Sequence, residues 1–246
     1  MSSEGYRDSF IKSKELMKVT TINIRLRALR AFYNFLFKNK VIEVNPMKNI
    51  KLLRDRQKTI ETLDDREIEK LIAVMRKQKS FVSFRDEVIL LVFLDTGIRL
   101  SELVGIEVED IRGNTVIIRK TKNSFERTVY LSEITQEQVK RYIKIRGQVE
   151  TESLFINRDE GELNPHSIQT RFTKYGSQAQ ISKRVSPHTF RHTMAKRMIM
   201  SGIDAFSLMY LLGHTDITVT KRYVNLWGTD LEKKHKAYGA LKGLKL

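Results

Sequence analysis

A mainly α-helical chain with one small antiparallel β-sheet is what the sequence predicts, on three observations. Several segments repeat apolar residues at steps of three and four, the period of an amphipathic helix. Two β-branched runs stand close together, Thr115-Val-Ile-Ile-Arg119 and Arg127-Thr-Val-Tyr-Leu131, with a polar loop between them, which predicts a hairpin. Hydrophobic residues make up 41% of the 246 residues, enough for a packed core and too many for wholesale disorder.

The elements follow in chain order. Thr20 to Asn39 reads as one helix, with Ile22, Leu26, Leu29, Phe32 and Leu36 as its apolar stripe and Thr20 or Thr21 as its cap. Arg25, Arg27, Arg30 and Lys38 lie mostly off the stripe. Asn45-Pro46 ends the local structure, because the residue before proline is pushed out of the helical region. Lys51 to Ile60 is polar and basic and reads as a linker. Residues 1–55 are therefore expected to form a small helical domain, and residues 56–246 a larger one. In the second, Thr62 is expected to cap a helix through Ile68, Leu71, Ile72 and Met75. A mostly apolar helix over about Arg85 to Asp95 stops at Gly97, and Ser101 caps a short helix after it. The hairpin comes next, and Ser153-Leu-Phe-Ile156 is expected to add a third strand. Ser186-Pro187 opens a helix with a capping hydroxyl and a proline at the first helical position. It runs to about Met200 and stops at Gly202. Shorter helices are expected near 204–212, 216–225 and 229–240.

Composition narrows the chemistry. The chain has no Cys, which excludes a disulfide scaffold, a thiolate zinc site, an iron–sulfur site and a cysteine nucleophile. The longest apolar run, Val88 to Leu94, is too short to cross a bilayer, and the first residues carry no apolar signal segment. A soluble, cytoplasmic protein without a membrane partner is expected. The formal net charge is +16. Residues 1–60 carry a net +9, residues 61–130 a net −1 and residues 131–246 a net +8. Basic charge at both ends around a neutral middle suits a polyanion, and nucleic acid is the commonest one.

Candidate site residues are scattered along the chain. His188 and Arg191 are three apart on the helix that Pro187 opens and so share a face. His188 and His192 are four apart, but with neither Glu at 189 nor Cys anywhere the pair is a poor metal motif. Thr96-Gly-Ile-Arg-Leu-Ser-Glu-Leu103 sets Arg99 just after a glycine turn, with Glu102 three residues on. Leu211-Leu-Gly-His214 sets a histidine past a glycine stop, and Thr220-Lys-Arg-Tyr223 follows nine residues later. In this order the residues resemble the tyrosine recombinase family, the phage-integrase and Xer-like site-specific DNA recombinases. The resemblance covers about residues 18–228.

The resemblance implies a recombinase-type catalytic domain preceded by a partial helical DNA-clamping domain. It implies site-specific cleavage and rejoining of DNA through a 3′-phosphotyrosyl intermediate and a Holliday junction. Tyr223 would be the nucleophile, with Arg99 and Arg191 binding the non-bridging phosphate oxygens. His188 and His214 would donate to the same group or relay the tyrosine proton, and Glu102 would orient Arg99 or a neighbour. The family's leaving-group acid is a hairpin lysine. Lys122 falls at its position, with Lys120 as the alternative or as a phosphate contact. Here Thr-Lys-Asn-Ser-Phe125 replaces the relatives' glycine-rich loop. Arg25 and Arg30 are the candidate DNA contacts of the first domain. No metal, ATP or other cofactor is expected, because arginines take the cation's place. The expected partners are a double-stranded recombination site, three further copies of the chain on two duplexes, and accessory DNA-binding proteins. Only the later part of the relatives' clamping domain is matched, so either the natural protein clamps DNA with less or this sequence is a fragment; the helix around Leu231 to Leu241 resembles the tail that relatives dock on a neighbouring copy, with packing on its own domain as the alternative. A relaxing topoisomerase, a DNA-binding module without catalysis and a metal-dependent nuclease are weaker readings: the boxes occur together, and no carboxylate cluster accompanies them.

Overall fold

The computed structural model describes residues 17–54, 60–119 and 126–227. The chain divides into two compact units, residues 1–59 and 60–246. Among the described residues, no helix is long and apolar enough to cross a membrane.

In the first unit, helix α1 (Val19–Lys38) packs Ile22 and Leu26 against Met47, with Leu29, Tyr33, Ile50, Leu52 and Leu53 around them. The returning segment is pinned by its own backbone. The Asn23 side-chain amide exchanges two hydrogen bonds with Leu53, donating to its carbonyl and accepting from its N–H, each 2.9 Å. Arg30 donates to the Ile50 carbonyl, and the Asn45 side chain accepts from the Met47 N–H. Two expectations change here. The N-cap position is Lys18, without a side-chain bond, so neither Thr20 nor Thr21 caps α1. The buried stripe runs 22, 26, 29, 33, so Tyr33 faces inward, while Phe32, a step away around the helix, is exposed.

The second unit is built around helix α3. Helix α2 spans Asp65–Lys77 and α3 spans Phe81–Thr96. Asp64, not Thr62, caps α2. Its carboxylate accepts from the Glu67 N–H while Glu67 reaches back to the Asp64 N–H, a reciprocal pair that a residue two places earlier cannot make. Ser80 and Ser83 cap α3 in the same way, so that helix starts four residues before Arg85. Val88, Ile89, Leu90 and Phe93 of α3 are fully buried. Gly97 ends the helix with φ +62°, a conformation costly for other residues. A Cβ there would also meet Met194 and Leu212 side chains at 3.0 Å. Helix α4 (Leu100–Leu103) follows at once. Ser101 lies inside it and caps nothing; the Glu102 carboxylate accepts from the Arg99 N–H at 2.7 Å instead.

The sheet has three antiparallel strands in the order β1 (Ile111–Arg112), β2 (Thr115–Ile118), β3 (Arg127–Tyr130). The hairpin pairs Thr115 with Tyr130 and Ile118 with Arg127, as expected. The third strand is β1, paired Ile111 to Val116, and not Ser153–Ile156. Ser153 and Ile156 make only isolated bridges, while Leu154 and Phe155 sink into the core as a buried loop. Helix α5 (Glu133–Arg146) and helix α6 (Pro165–Gln178) complete the main core, and both go beyond the elements expected from sequence. Helix α7 (Pro187–Met200) starts at Ser186, whose hydroxyl accepts from the Thr189 N–H. Helices α8 (Ala205–Leu212) and α9 (Ile217–Trp227) close a second core cluster of Met194, Ala195, Ile199, Leu208, Leu212 and Tyr223. The expected helix over 229–240 lies outside the described residues.

Candidate active site

The site is organised by the carboxyl end of α8. An α-helix leaves its last carbonyls without intrahelical partners. The reversed turn at Gly213 (φ +62°) satisfies two of them: the Gly213 N–H bonds the Tyr210 carbonyl, and the His214 N–H bonds the Met209 carbonyl. The next three carbonyls each accept from an arginine. Arg127 Nε reaches Leu211 at 3.2 Å, Arg191 Nη2 reaches Leu212 at 2.7 Å and Arg99 Nη2 reaches Gly213 at 2.9 Å. The negative end of the helix dipole favours these cations further. A Cβ at position 213 would lie 2.8 Å from the Arg127 guanidinium, so glycine is required for room as well as for backbone angle. Three arginines from α7, β3 and the head of α4 thus converge on a single helix end.

Glu102 ties two of them together. Its carboxylate accepts from Arg127 at 2.8 and 3.0 Å and from Arg99 at 2.8 Å, with only 1% of its side chain exposed. Burial alone would raise its pKa; the hydrogen bonds and charge of Arg127, with the hydrogen bonds of Arg99, outweigh burial and hold it below the usual carboxylate range. Three guanidinium groups against one carboxylate leave a local surplus of two positive charges, suited to a phosphodiester. Glu102→Ala strands the buried Arg127 and is expected to destabilise the protein by about 3–5 kcal/mol. Denaturant unfolding of the variant checks this, and a loss under about 1 kcal/mol would show the pair to be energetically idle.

Arg191 is buried and spends both terminal nitrogens on the protein. Nη1 donates to the Gly97 carbonyl at 2.6 Å, and Nη2 also meets His214 Nε2 at 2.8 Å. Burial and then the charge of Arg99 lower its pKa to about 10, so it stays a cation at neutral pH. Because Arg191 can only donate, His214 Nε2 must accept, and the proton sits on Nδ1, which donates to Thr220 Oγ1 at 2.8 Å. Burial, followed by the charges of Arg191 and Arg99, lowers the His214 pKa to about 4.

Tyr223, on α9, is 6% exposed. Its ring stacks against Trp227 (centroids 5.6 Å, 22°) and lies parallel to His214 (6.3 Å, 6°). Its hydroxyl lies 2.8 Å from His192 Nδ1. Burial raises the phenol pKa, opposed by the positive charges of Arg191 and Arg222. The His192 pKa is lowered to about 4, by burial first and then by His188, Arg191 and Arg222. His188 stands exposed at the rim, its pKa lowered by partial desolvation and by Arg191, Arg184 and Arg99.

Both His192 and His214 are therefore held neutral in the folded state. Unfolded, each takes a proton near its ordinary pKa, about 6.5. Their contribution to stability is complete above that pH and is lost as pH falls toward 4. Ring NMR resonances of both histidines should stay at their neutral positions down to pH 5 in the free protein. Either one titrating near 6.5 would contradict the buried geometry.

Of the residues expected from sequence, the fold gathers Arg99, Glu102, Arg191, His214 and Tyr223 and sets His188 at their edge. Lys120 and Lys122 lie outside the described residues, as do 55–59 of the expected linker. Arg25 is exposed, whereas Arg30 is engaged with the Ile50 carbonyl. Trp227 packs on Tyr223, and Arg222 is exposed. Sequence reasoning missed Arg127, Thr220 and the role of His192. Arg127 looks like a strand residue of the hairpin; its one cue is that its side chain points inward beside Val129 while Tyr130 points out.

Comparison with known proteins gives the family and counterparts of the fold among solved structures. The model of the "Phage integrase family" matches residues 61–227. "Tyrosine recombinase XerC" of Syntrophus aciditrophicus (strain SB) is 33% identical over 217 residues, covering 84% of this chain and 70% of that protein. Among solved structures, the integrase of the Tn1549 transposon in complex with transposon right end DNA superposes with a TM-score of 0.80. It is 20% identical, and the match covers 97% of this chain and 86% of that one. XerH site-specific recombinase bound to a palindromic difH substrate also gives 0.80, at 18% identity, covering 96% of this chain and 72% of that one.

Proposed function

Because the chain belongs to the phage integrase family, we propose that the gathered arginines and Tyr223 cut and rejoin DNA strands. The protein is a tyrosine-type site-specific DNA recombinase. The observation that carries the residue assignment is the pocket itself: a tyrosine oxygen buried beside Arg191, which shares one helix end with Arg99.

In this reading Tyr223 Oη attacks the scissile phosphorus. The Oη–P bond forms, the bond to the 5′ oxygen breaks, and a 3′-phosphotyrosyl link results. Negative charge gathers on the two non-bridging oxygens during attack. Guanidinium groups already locked onto carbonyls need no reorganisation to meet it, and this is where preorganisation stabilises the transition state. Arg127 has its nitrogens on Glu102 and Leu211, so it acts by positioning Glu102 and, through it, Arg99. His188 offers a donor at the rim. His214 steadies Arg191 in the free enzyme. It donates to a phosphate oxygen once Nε2 gains a proton, which a bound anion favours. Lys122, or Lys120, supplies the proton to the departing 5′ oxygen. Attack by a 5′ hydroxyl of a second strand reverses the step, so energy is conserved in the phosphotyrosyl bond and a Holliday junction follows from two such exchanges.

The partner is a double-stranded DNA site. Four copies on two duplexes complete the exchange, with accessory DNA-binding proteins where the site requires them. The first unit clamps the duplex through exposed cations such as Arg25, with Arg30 contributing only what its bond to Ile50 leaves free. The basic surplus supports this and makes binding weaken as salt rises. The test is a nicked duplex carrying the native junction, incubated with protein and EDTA. A denaturation-resistant adduct joined through the 3′ phosphate at the break is expected. No adduct, or one that forms only when divalent metal is present, would overturn the reading.

A further inference from the structure

We propose that His192 takes the proton from the Tyr223 hydroxyl during strand cleavage and returns it during rejoining; this rests on the reading of Tyr223 as nucleophile. The contact is direct, 2.8 Å from Nδ1 to Oη, between residues 31 apart in sequence. His188, exposed at the rim, makes no hydrogen bond to Oη, and the other candidates are engaged elsewhere. His214 uses one ring nitrogen on Arg191 and the other on Thr220, so neither is free for Oη. The Glu102 oxygens are bound to Arg99 and Arg127, and Arg191 is a cation.

The groups facing His192 are His188 and Arg191 on its own helix and Arg222 and Tyr223 on α9. Burial first, and then the neighbouring charges of Arg191 and Arg222, disfavour an imidazolium at rest, so the ring is neutral. Oη–H then donates to Nδ1, and the ring proton sits on Nε2. A weak base is sufficient because its strength is needed only in the transition state. As the Oη–P bond forms, the phenolic oxygen loses its hold on the proton, and the phosphate oxygens gain negative charge that favours a cation nearby. The balance is complete. Oη–P forms, the bond from phosphorus to the 5′ oxygen breaks, the phenolic proton moves to His192, and the 5′ oxygen takes its proton from the hairpin lysine. In rejoining, the imidazolium returns its proton to the departing phenolate.

The experiment uses single-turnover cleavage of the nicked duplex, with DNA binding and thermal unfolding recorded for each variant. His192→Ala is expected to bind DNA as the parent does and to cleave about 10²-fold more slowly or worse. His192→Asn places an acceptor oxygen where Nδ1 stood but is no useful base, and it should stay as slow. Replacing Tyr223 with a fluorinated tyrosine that ionises near neutral pH removes the need for a base. In that background the penalty of His192→Ala should shrink to near unity, a rescue that a purely structural role does not produce. Parental rates in His192→Ala, recovery in His192→Asn, or a penalty undiminished with the fluorinated phenol would each overturn the proposal. An adduct that persists in Tyr223→Phe would instead overturn the nucleophile assignment on which it rests.

Discussion

Tyr223→Phe is expected to abolish the covalent DNA adduct completely while leaving the protein folded and able to bind its site. The substitution removes the single oxygen that can attack phosphorus and keeps the ring that packs on Trp227 and His214. The hydrogen bond to His192 and the contact with the Arg191 guanidinium are lost from the free protein. A net hydrogen bond is worth about 0.5–1.5 kcal/mol, so the shift in thermal midpoint should be small. The measurement is gel analysis of adduct on nicked DNA beside a binding isotherm. Adduct at any rate above background in the Phe variant would place the nucleophile elsewhere, for instance on the exposed Tyr210.

Arg191→Ala carries the second largest effect. Its guanidinium is buried, charged and held by the Gly97 and Leu212 carbonyls, so it meets the developing phosphate charge in a site with little water. Removing one such donor typically costs 10²–10³ in rate, about 2.7–4 kcal/mol. The Ala variant also leaves two buried carbonyls without donors, each worth about 1–3 kcal/mol of stability. Arg191→Lys separates the two effects. It keeps one positive charge but cannot span the Gly97 carbonyl, the Leu212 carbonyl and His214 with one planar group. Single-turnover cleavage of folded Arg191→Lys should still fall by about 10². A folded Lys variant cleaving at the parental rate would show that charge alone suffices and that the fork does not matter.

How much of this was legible in the sequence depends on the range of the physics involved. Helix punctuation is local, so Gly97 and the Ser186-Pro187 opening were read correctly. Helix α6 left a signal that went unread: Asn164-Pro165 is a cap with proline after it, and Ile168, Phe172 and Tyr175 follow at steps of four and three. Helix α5 left less, because only Thr135, Val139 and Tyr142 are buried while Ile134 and Ile145 are exposed and blur the apolar stripe. The third strand was misplaced because β1 is two residues long and carries no pattern, whereas the apolar run at 153–156 is a buried loop. Thr20, Thr62 and Ser101 cap nothing: α1 begins without a side-chain cap, and Asp64 and Glu102 hold the N–H groups at the other two starts.

By itself the sequence determined the boxes that carry the chemistry, the cationic surplus and the glycine stops, because each is a property of residue type and short-range spacing. Only the tertiary structure decided which groups meet. His188 and His192 share a helix, and which of them touches Tyr223 depends on how α9 lies against α7. That three arginines from three elements meet on carbonyls 211–213 depends on where α8 ends relative to each of them. Those relations are settled by packing across tens of residues. A hydrogen bond tolerates only a few tenths of an ångström, and no local pattern of residues carries that precision.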